Sequence, residues 1–305
     1  MRISVCFFLL LLSAPSLAIA QNVFDPLGSQ VRLVDSRTVA PHASADEIRY
    51  GERRWQEIEF FASTTQNEAP LVIIFANRGR RTSEYSPLEW LRHRALEAGY
   101  AVAMLPDKND PDEPDERLEN FSLALTTLFS RSGELGFDDR SYVLVGYHHA
   151  RFATLYGTRS ELLTTSIGSF DGLRGVIAFD GSAYDIGEKV QESAYWRRLL
   201  GRNYGREPEQ YLQYSPASHL TTPNAPSFLL LAYEDEEQLV YASQNFAADL
   251  SGQGVEVKTT TYPATRSGRL NTYMLMDNDG AGSEIMPFLA RAFANQPESS
   301  LAPAP

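Results

Sequence analysis

The sequence predicts an α/β protein with a mostly parallel central sheet and helices on both of its faces. Short apolar segments alternate with longer helical patterns along the chain, which is the order that builds such a sheet. Several of the short segments are apolar at every position, as parallel strands are when helices cover both faces. The 305 residues are 43% hydrophobic and 22% charged, so we expect a folded, enzyme-sized protein.

The predicted strands and helices follow one another as repeated strand–helix units. The strand candidates are 58–62, 71–76, 101–105, 142–145, 175–179, 227–232 and 255–262. The helix candidates are 87–98, 117–130, 149–165, 237–250 and 283–294. Gly99 follows the first helix, where a glycine in the left-handed conformation ends a helix before the next strand.

Residues 183–213 interrupt this alternation and are rich in aromatic side chains, including Tyr195, Trp196, Tyr204 and Tyr211. We expect this segment to form a small cap-like insertion over the sheet. Two interpretations stay open, because such an insertion either roofs a pocket or simply packs on the core.

Residues 107–116 are acidic and are interrupted by prolines, which predicts a solvated loop. A calcium site is the alternative, but Pro111 and the missing glycine do not fit the spacing of an EF-hand. We therefore expect no metal ion and no other cofactor.

The N-terminus has the pattern of a secretory signal peptide. Met1 and Arg2 precede an apolar run from Ile3 to Leu12, and Ala18-Ile19-Ala20 is the small-x-small pattern that signal peptidase accepts. This predicts cleavage after Ala20 and a secreted or periplasmic protein. The chain then divides into a signal peptide (1–20), an N-terminal extension (21–45), one domain (46–294, with the insertion at about 183–213) and a disordered Pro/Ala tail (295–305).

The charge, the cysteine content and the length of the apolar run exclude a nucleic-acid partner, an intramolecular disulfide, a cysteine metal cluster and a membrane span. The chain has 27 Lys and Arg against 39 Asp and Glu, a net charge of −12, so a nucleic acid would be repelled. Cys6 is the only cysteine, which excludes an intramolecular disulfide and a cysteine metal cluster. The apolar run near the N-terminus is too short for a membrane span.

A tight turn is predicted where the strand at 142–145 runs into the helix at 149–165. Gly146 and Ala150 lie two residues before and two residues after His148, where a strand-to-helix turn accepts only small side chains. This spacing is the frame of a G-x-S-x-G nucleophile elbow, with histidine replacing the serine and alanine replacing the last glycine. In an open α/β sheet such a turn lies at the carboxyl ends of the strands, where ligands bind.

With these residues the chain resembles an α/β-hydrolase of the bacterial carboxylesterase and feruloyl-esterase-like group. The resemblance extends over 48–293 and depends on the order and spacing of several segments. It implies the α/β-hydrolase fold with a small cap-like insertion. The matching segments are 48–51, 71–75 with the loop at 77–80, 97–102, 173–177, 181–185, Ser215-Pro216 and 226–231.

The resemblance implies a catalytic triad of serine, acid and histidine in that order along the chain. His148 stands in the serine position, Asp235 is the candidate acid, and the histidine position falls near Ser267. No histidine follows the acid position, so the resemblance indicates that both the nucleophile and the base are missing. The five histidines are His42, His93, His148, His149 and His219.

Arginines replace the glycines of the family's oxyanion loop. The loop at 77–80 and the former histidine loop, with Arg266, bring positive charge toward one cleft, and arginine suits carboxylates and phosphates. Either these arginines hold an anionic ligand near His148, or they form ion pairs with the acidic run at 234–237. The predicted pocket residues are Asn77, Arg78, Gly79, Arg80 and His149.

Two classes of function follow from these features. The first is a secreted pseudoenzyme that binds a small-molecule or anionic ligand in the former pocket. The second is an active carboxylic-ester hydrolase with an atypical site, in which Asp235 orients His148 as a general base for water.

Overall fold

The computed structural model describes most of the predicted domain. The described residues are 45–77, 85–107, 114–147, 149–205, 207–220, 225–234, 236–262 and 281–294.

These residues form an eight-stranded sheet with the order β1-β2-β4-β3-β5-β6-β7-β8. β2 is antiparallel to both of its neighbours, and the strands from β4 across to β8 pair in parallel. The mostly parallel sheet predicted from the apolar runs is therefore confirmed. The strands are β1 (Asp46–Arg49), β2 (Glu57–Phe61), β3 (Ala69–Asn77), β4 (Ala101–Asp107), β5 (Phe137–Tyr147), β6 (Leu173–Phe179), β7 (Ser227–Tyr233) and β8 (Val257–Tyr262).

Helices connect the parallel strands, and the predicted insertion is itself helical. A 3-10 helix (Pro216–His219) precedes the segment that leads into β7. The α-helices are α1 (Tyr85–Glu97), α2 (Pro114–Phe129), α3 (Ser132–Leu135), α4 (Ala150–Thr158), α5 (Ser160–Ile167), α6 (Ile186–Glu192), α7 (Ala194–Tyr204), α8 (Pro208–Leu212), α9 (Glu237–Gly252) and α10 (Ala281–Ala294).

The structure corrects two local predictions and adds one strand. The helix predicted over 149–165 is two helices, because the backbone of Arg159 leaves the helical region at φ −115° and ψ 81°. The acidic loop predicted over 107–116 is shorter, since Asp107 ends β4 and Pro114 begins α2. Proline is favoured in the first helical turn, as are the acidic residues that follow it there. β1 was not predicted, because Ile48 is its only buried side chain.

The core lies on both faces of the sheet. Side chains of α2, α4, α5 and α9 pack on one face together with the insertion, and side chains of α1 and α10 pack on the other. Along β3, Ile73 and Phe75 belong to the first cluster and Val72 and Ile74 to the second. This alternation of buried positions explains why the strand is apolar throughout.

No helix in the described part of the chain is long and apolar enough to span a lipid bilayer.

An aromatic stack joins the central strand β3 to helix α2. The ring of Phe75 stacks on Phe121 with centroids 4.4 Å apart, and the ring of Tyr156 from α4 lies 5.8 Å from Phe75. All three side chains are fully buried. Phe75 therefore supports both helices that pack beside the carboxyl end of β3.

Replacement of Phe75 by alanine is expected to lower the free energy of unfolding by about 3–5 kcal/mol, because it leaves a cavity between β3 and α2. Leu123→Ala, in the same helix α2, is the control, since that side chain is 44% exposed. Its expected change is within about 0.5 kcal/mol. Equal losses in urea unfolding would contradict this account of the core.

Candidate functional site

The strand order defines one place where the sheet opens at its carboxyl edge. β4 lies on one side of β3 and β5 on the other. The helices that follow β3 and β5, α1 and α4, pack on opposite faces of the sheet. The carboxyl ends of β3 and β5 thus flank a topological switch point, which is where ligands bind in open α/β sheets.

The turn from β5 into α4 is tight at this point. A Cβ added to Gly146 would lie 2.7 Å from the Cα of Ala150 and 2.8 Å from both the Cβ of Ala153 and the carbonyl oxygen of His149. Two of these three contacts are with backbone atoms, so they cannot be relieved by a side-chain rotation. Ala150 is 3% exposed. This close packing explains why Gly146 and Ala150, which were predicted to frame the turn, are small.

Most of the predicted site residues, including all three predicted catalytic residues, lie outside the part of the chain that the structure describes. Asn77 ends β3, Gly146 lies in β5 and Ala150 begins α4. In chain order Asp235 follows β7, and both Arg266 and Ser267 follow β8. The roles proposed for all of these residues stay predictions. The residues outside the description are Arg78, Gly79, Arg80, His148, Asp235, Arg266 and Ser267.

His149 is the residue that precedes helix α4, and its side chain is buried. Its ring centroid lies 5.8 Å from that of Phe121 and 6.4 Å from that of Phe152. The ring of this predicted pocket residue therefore packs among aromatic side chains of α2 and α4.

Two arginines that sequence reasoning missed lie at the starts of α2 and α4. The guanidinium carbons of Arg117 and Arg151 lie 5.3 Å and 4.9 Å from the ring centroid of Phe152. Arg151 also lies 4.4 Å from the ring centroid of Tyr204 and donates a hydrogen bond to its hydroxyl. Arg117 and Arg151 are 34 positions apart in the chain, so only the fold shows that both lie near the Phe152 ring. The sequence did place Arg151 directly after Ala150 of the predicted elbow frame, and this position could have drawn attention to it.

Burial, and then the positive charge of Arg117, lower the pKa of Arg151 to about 9. A guanidinium nevertheless stays protonated in proteins under ordinary conditions. The lowered pKa therefore reports how unfavourable this position is for a positive charge.

The insertion contacts the starts of α2 and α4. The rings of Tyr204 and Tyr214 lie 5.2 Å apart, and the Tyr214 hydroxyl donates a hydrogen bond to the Asp115 carboxylate. Burial and this carboxylate raise the pKa of Tyr214. Tyr204 and Tyr211 of the insertion are buried and belong to the core cluster on this face of the sheet. The contacts with Arg151 and Asp115 also bring the insertion to helix starts at the carboxyl edge.

Two cavities lie among the described residues, both beside helix α9. One of about 140 Å³ is lined by Ser243, Thr259 and Thr261 of α9 and β8. A smaller one, about 20 Å³, lies between α6 and α9 beside Tyr184 and Lys189. No group of three or more His, Cys, Asp or Glu side chains within the described ranges is arranged to hold a metal ion.

Comparisons with solved structures identify the fold. Esterase B of Lactobacillus rhamnosis is similar with a TM-score of 0.62 and 17% identity, over 81% of this chain and 84% of that chain. A hyperthermophilic esterase of the archaeon Pyrobaculum calidifontis gives 0.62 and 15%, over 83% and 86%. A thermostable carboxylesterase cloned from a metagenomic library gives 0.61 and 16%, over 84% and 91%. No protein-family model and no curated protein sequence matches the chain.

The chain has an α/β-hydrolase fold. The fold predicted from the resemblance is therefore confirmed, including the esterase-like arrangement of strands and helices. Within an α/β-hydrolase fold, the turn after β5 holds the nucleophile and the loop after β3 contributes to the oxyanion hole. The switch point derived from the strand order coincides with that location.

Substitution of Gly146 by alanine is expected to lower the free energy of unfolding by about 1–3 kcal/mol, because the added Cβ overpacks the turn against backbone atoms. Gly133→Ala in α3 is the matched control, since nothing lies within 4 Å of its added Cβ. The control is expected to be neutral or stabilising by up to about 1 kcal/mol. Chemical denaturation measures both; equal losses would refute the close approach.

Removal of the Tyr214 hydroxyl by substitution with phenylalanine is expected to loosen the insertion from α2. A hydrogen bond to a charged group contributes about 1.5–3 kcal/mol, and its loss should speed hydrogen exchange in α7 and α8. Tyr241→Phe is the control, because this tyrosine is 57% exposed. Unchanged exchange in the Tyr214 variant would show that the contact does not anchor the insertion.

Proposed function

We propose that this protein is a secreted α/β-hydrolase-fold pseudoenzyme that binds a ligand where related folds hydrolyse esters. The observation that carries the proposal is the elbow frame of Gly146 and Ala150 with histidine at position 148, in a chain that has no histidine beyond His219. The close packing around Gly146 supports the view that 146–150 is the elbow segment.

Serine hydrolysis needs a hydroxyl nucleophile, a histidine that takes its proton, and a carboxylate that orients the histidine. His148 offers an imidazole in place of the hydroxyl, and the segment after β8 offers Ser267 in place of the histidine. A neutral serine without a base is a weak nucleophile. The expected consequence is the loss of covalent ester hydrolysis.

An active ester hydrolase is the second candidate, and the similarity to solved esterases favours it. On this hypothesis Asp235 orients His148, which removes a proton from water as the water attacks the ester. This route needs no serine. On this hypothesis, ester hydrolysis disappears when the imidazole of His148 is removed.

Hydrolysis of p-nitrophenyl acetate and butyrate separates the two candidates. We expect residues 21–305 and the His148→Ala variant to release p-nitrophenolate at the same low rate, near that of buffer. His148→Ser is expected to gain little, because no base is restored with the hydroxyl. Circular dichroism of each variant controls for folding. Turnover well above buffer in the wild type, abolished in His148→Ala, would establish the hydrolase instead.

We further propose that the chain is exported and cleaved after Ala20. Expression of the full sequence in a bacterium with a periplasm is expected to yield a periplasmic protein whose N-terminus is Gln21. The intact mass of the product measures this directly. A cytoplasmic product that retains residues 1–20 would refute the proposal.

A further inference from the structure

We propose that the solvent-facing side of helix α7, in the insertion, is a docking surface for an acidic peptide segment of a partner protein. The surface consists of Tyr195, Arg198 and Arg202, and is called the α7 face below. It goes beyond the proposed function and does not depend on it, because none of the three residues belongs to the proposed elbow. The charge, the exposure and the aromatic packing of this helix support the inference.

Tyr195, Arg198 and Arg202 lie on one side of the helix. An α-helix has about 3.6 residues per turn, so positions three, four and seven apart share a side. All three residues are exposed, and Tyr195 is 57% exposed. The same spacing places Leu200 and Tyr204 on the opposite side, and both are buried in the core. The helix therefore presents two guanidinium groups and one aromatic ring to solvent.

The charge of this helix is opposite to that of the whole chain. α7 contains three arginines, Arg197, Arg198 and Arg202, and no Asp, Glu or Lys, whereas the chain has a net charge of −12. Within the described ranges, no ion pair or hydrogen bond joins any of these three guanidinium groups to another residue. Several exposed arginines elsewhere are paired, such as Arg131 with Glu134. The α7 face is thus a local positive patch that is complementary to an acidic partner.

Contacts with α6 hold the aromatic part of the face in place. The Tyr195 ring packs edge-on against the Trp196 ring, with centroids 5.2 Å apart and an interplanar angle of 71°. The Nζ atom of the buried Lys189 lies 5.0 Å from the Trp196 centroid and pairs with Glu192 at 2.8 Å. An exposed ring that is already ordered loses little side-chain entropy when a partner covers it. Tyr195 is therefore suited to anchor a partner, and tyrosine and arginine are both enriched among the residues that dominate protein–protein binding energy.

The positions of the charges favour a peptide over a lipid surface. Arg198 and Arg202 are about 6 Å apart along the helix axis, and carboxylates one turn apart on a partner helix match that spacing. Each guanidinium can hold a carboxylate through two parallel hydrogen bonds. An anionic bilayer attracts clusters of about four to eight basic residues, which is more than α7 carries. A bilayer is also wide enough to repel the remainder of this acidic protein.

Fluorescence anisotropy of a labelled acidic peptide tests the α7 face. The probe is an alanine-based helical peptide with glutamates four positions apart and one leucine, and the same peptide with glutamines is its control. We expect the wild type to bind the glutamate peptide and not the glutamine peptide. Arg198→Gln, Arg202→Gln and Tyr195→Ala are each expected to weaken that affinity about threefold or more. Added salt should weaken it as well, because the charges are exposed.

Arg197→Gln is the matched control. Arg197 belongs to the same helix and is exposed, but the helical spacing places it away from the α7 face. At an ionic strength of about 0.1 M, charges more than about 10 Å apart are largely screened, so the control should bind within about twofold of the wild type. Equal losses in Arg197→Gln and Arg198→Gln would overturn the proposal, since binding would then follow net charge alone. Thermal unfolding of each variant checks that these exposed substitutions leave the fold intact.

Two other outcomes would also overturn the proposal. Vesicles of phosphatidylcholine and phosphatidylglycerol are the probe for a lipid surface. Tighter binding to these vesicles than to the glutamate peptide, lost in Arg198→Gln, would assign the face to a membrane instead. Failure of the wild type to bind the glutamate peptide would refute the docking surface. Ester hydrolysis, or its absence, bears only on the proposed function, so the two proposals fail separately.

Discussion

The close approach of β5 to the first turn of α4 is the constraint on which the candidate site depends. At Gly146 the backbone of the strand lies so near Ala150 and Ala153 that a single added carbon does not fit. The sharp turn puts the start of α4 directly against the carboxyl edge of the sheet. The same packing holds the His149 ring between α2 and α4, and it sets Arg151 beside Phe152.

Much of the fold could be predicted from the sequence, because parallel strands that are buried on both faces are continuous apolar runs. β3, with Val72 to Phe75 fully buried, is such a run. The elbow frame was also visible, since a tight turn restricts 146 and 150 to small residues. β1 carried no comparable signal, because three of its four residues are exposed or polar. Strand order and the switch point needed the structure.

The arginine pair could not be predicted, because no local pattern connects Arg117 with Arg151. The sequence drew attention to the arginines of loop 77–80 and to Arg266, which are clustered or fall in a recognised loop. Arg117 and Arg151 come near each other because the starts of α2 and α4 meet at the carboxyl edge of the sheet. The strand order decides which helix starts meet there. The resemblance predicted where chemistry occurs in this fold, whereas the fold alone does not establish an activity.

The proposed function requires that this esterase-like scaffold forms no covalent intermediate with an ester. The most direct measurement follows the release of p-nitrophenolate from p-nitrophenyl acetate over the first turnover. The intact mass of the protein is recorded at the same time. We expect no burst and no acetylated protein, because position 148 of the proposed elbow carries histidine in place of a serine nucleophile. A burst equal to the protein concentration, with an acetyl group on the chain, would contradict the proposed function.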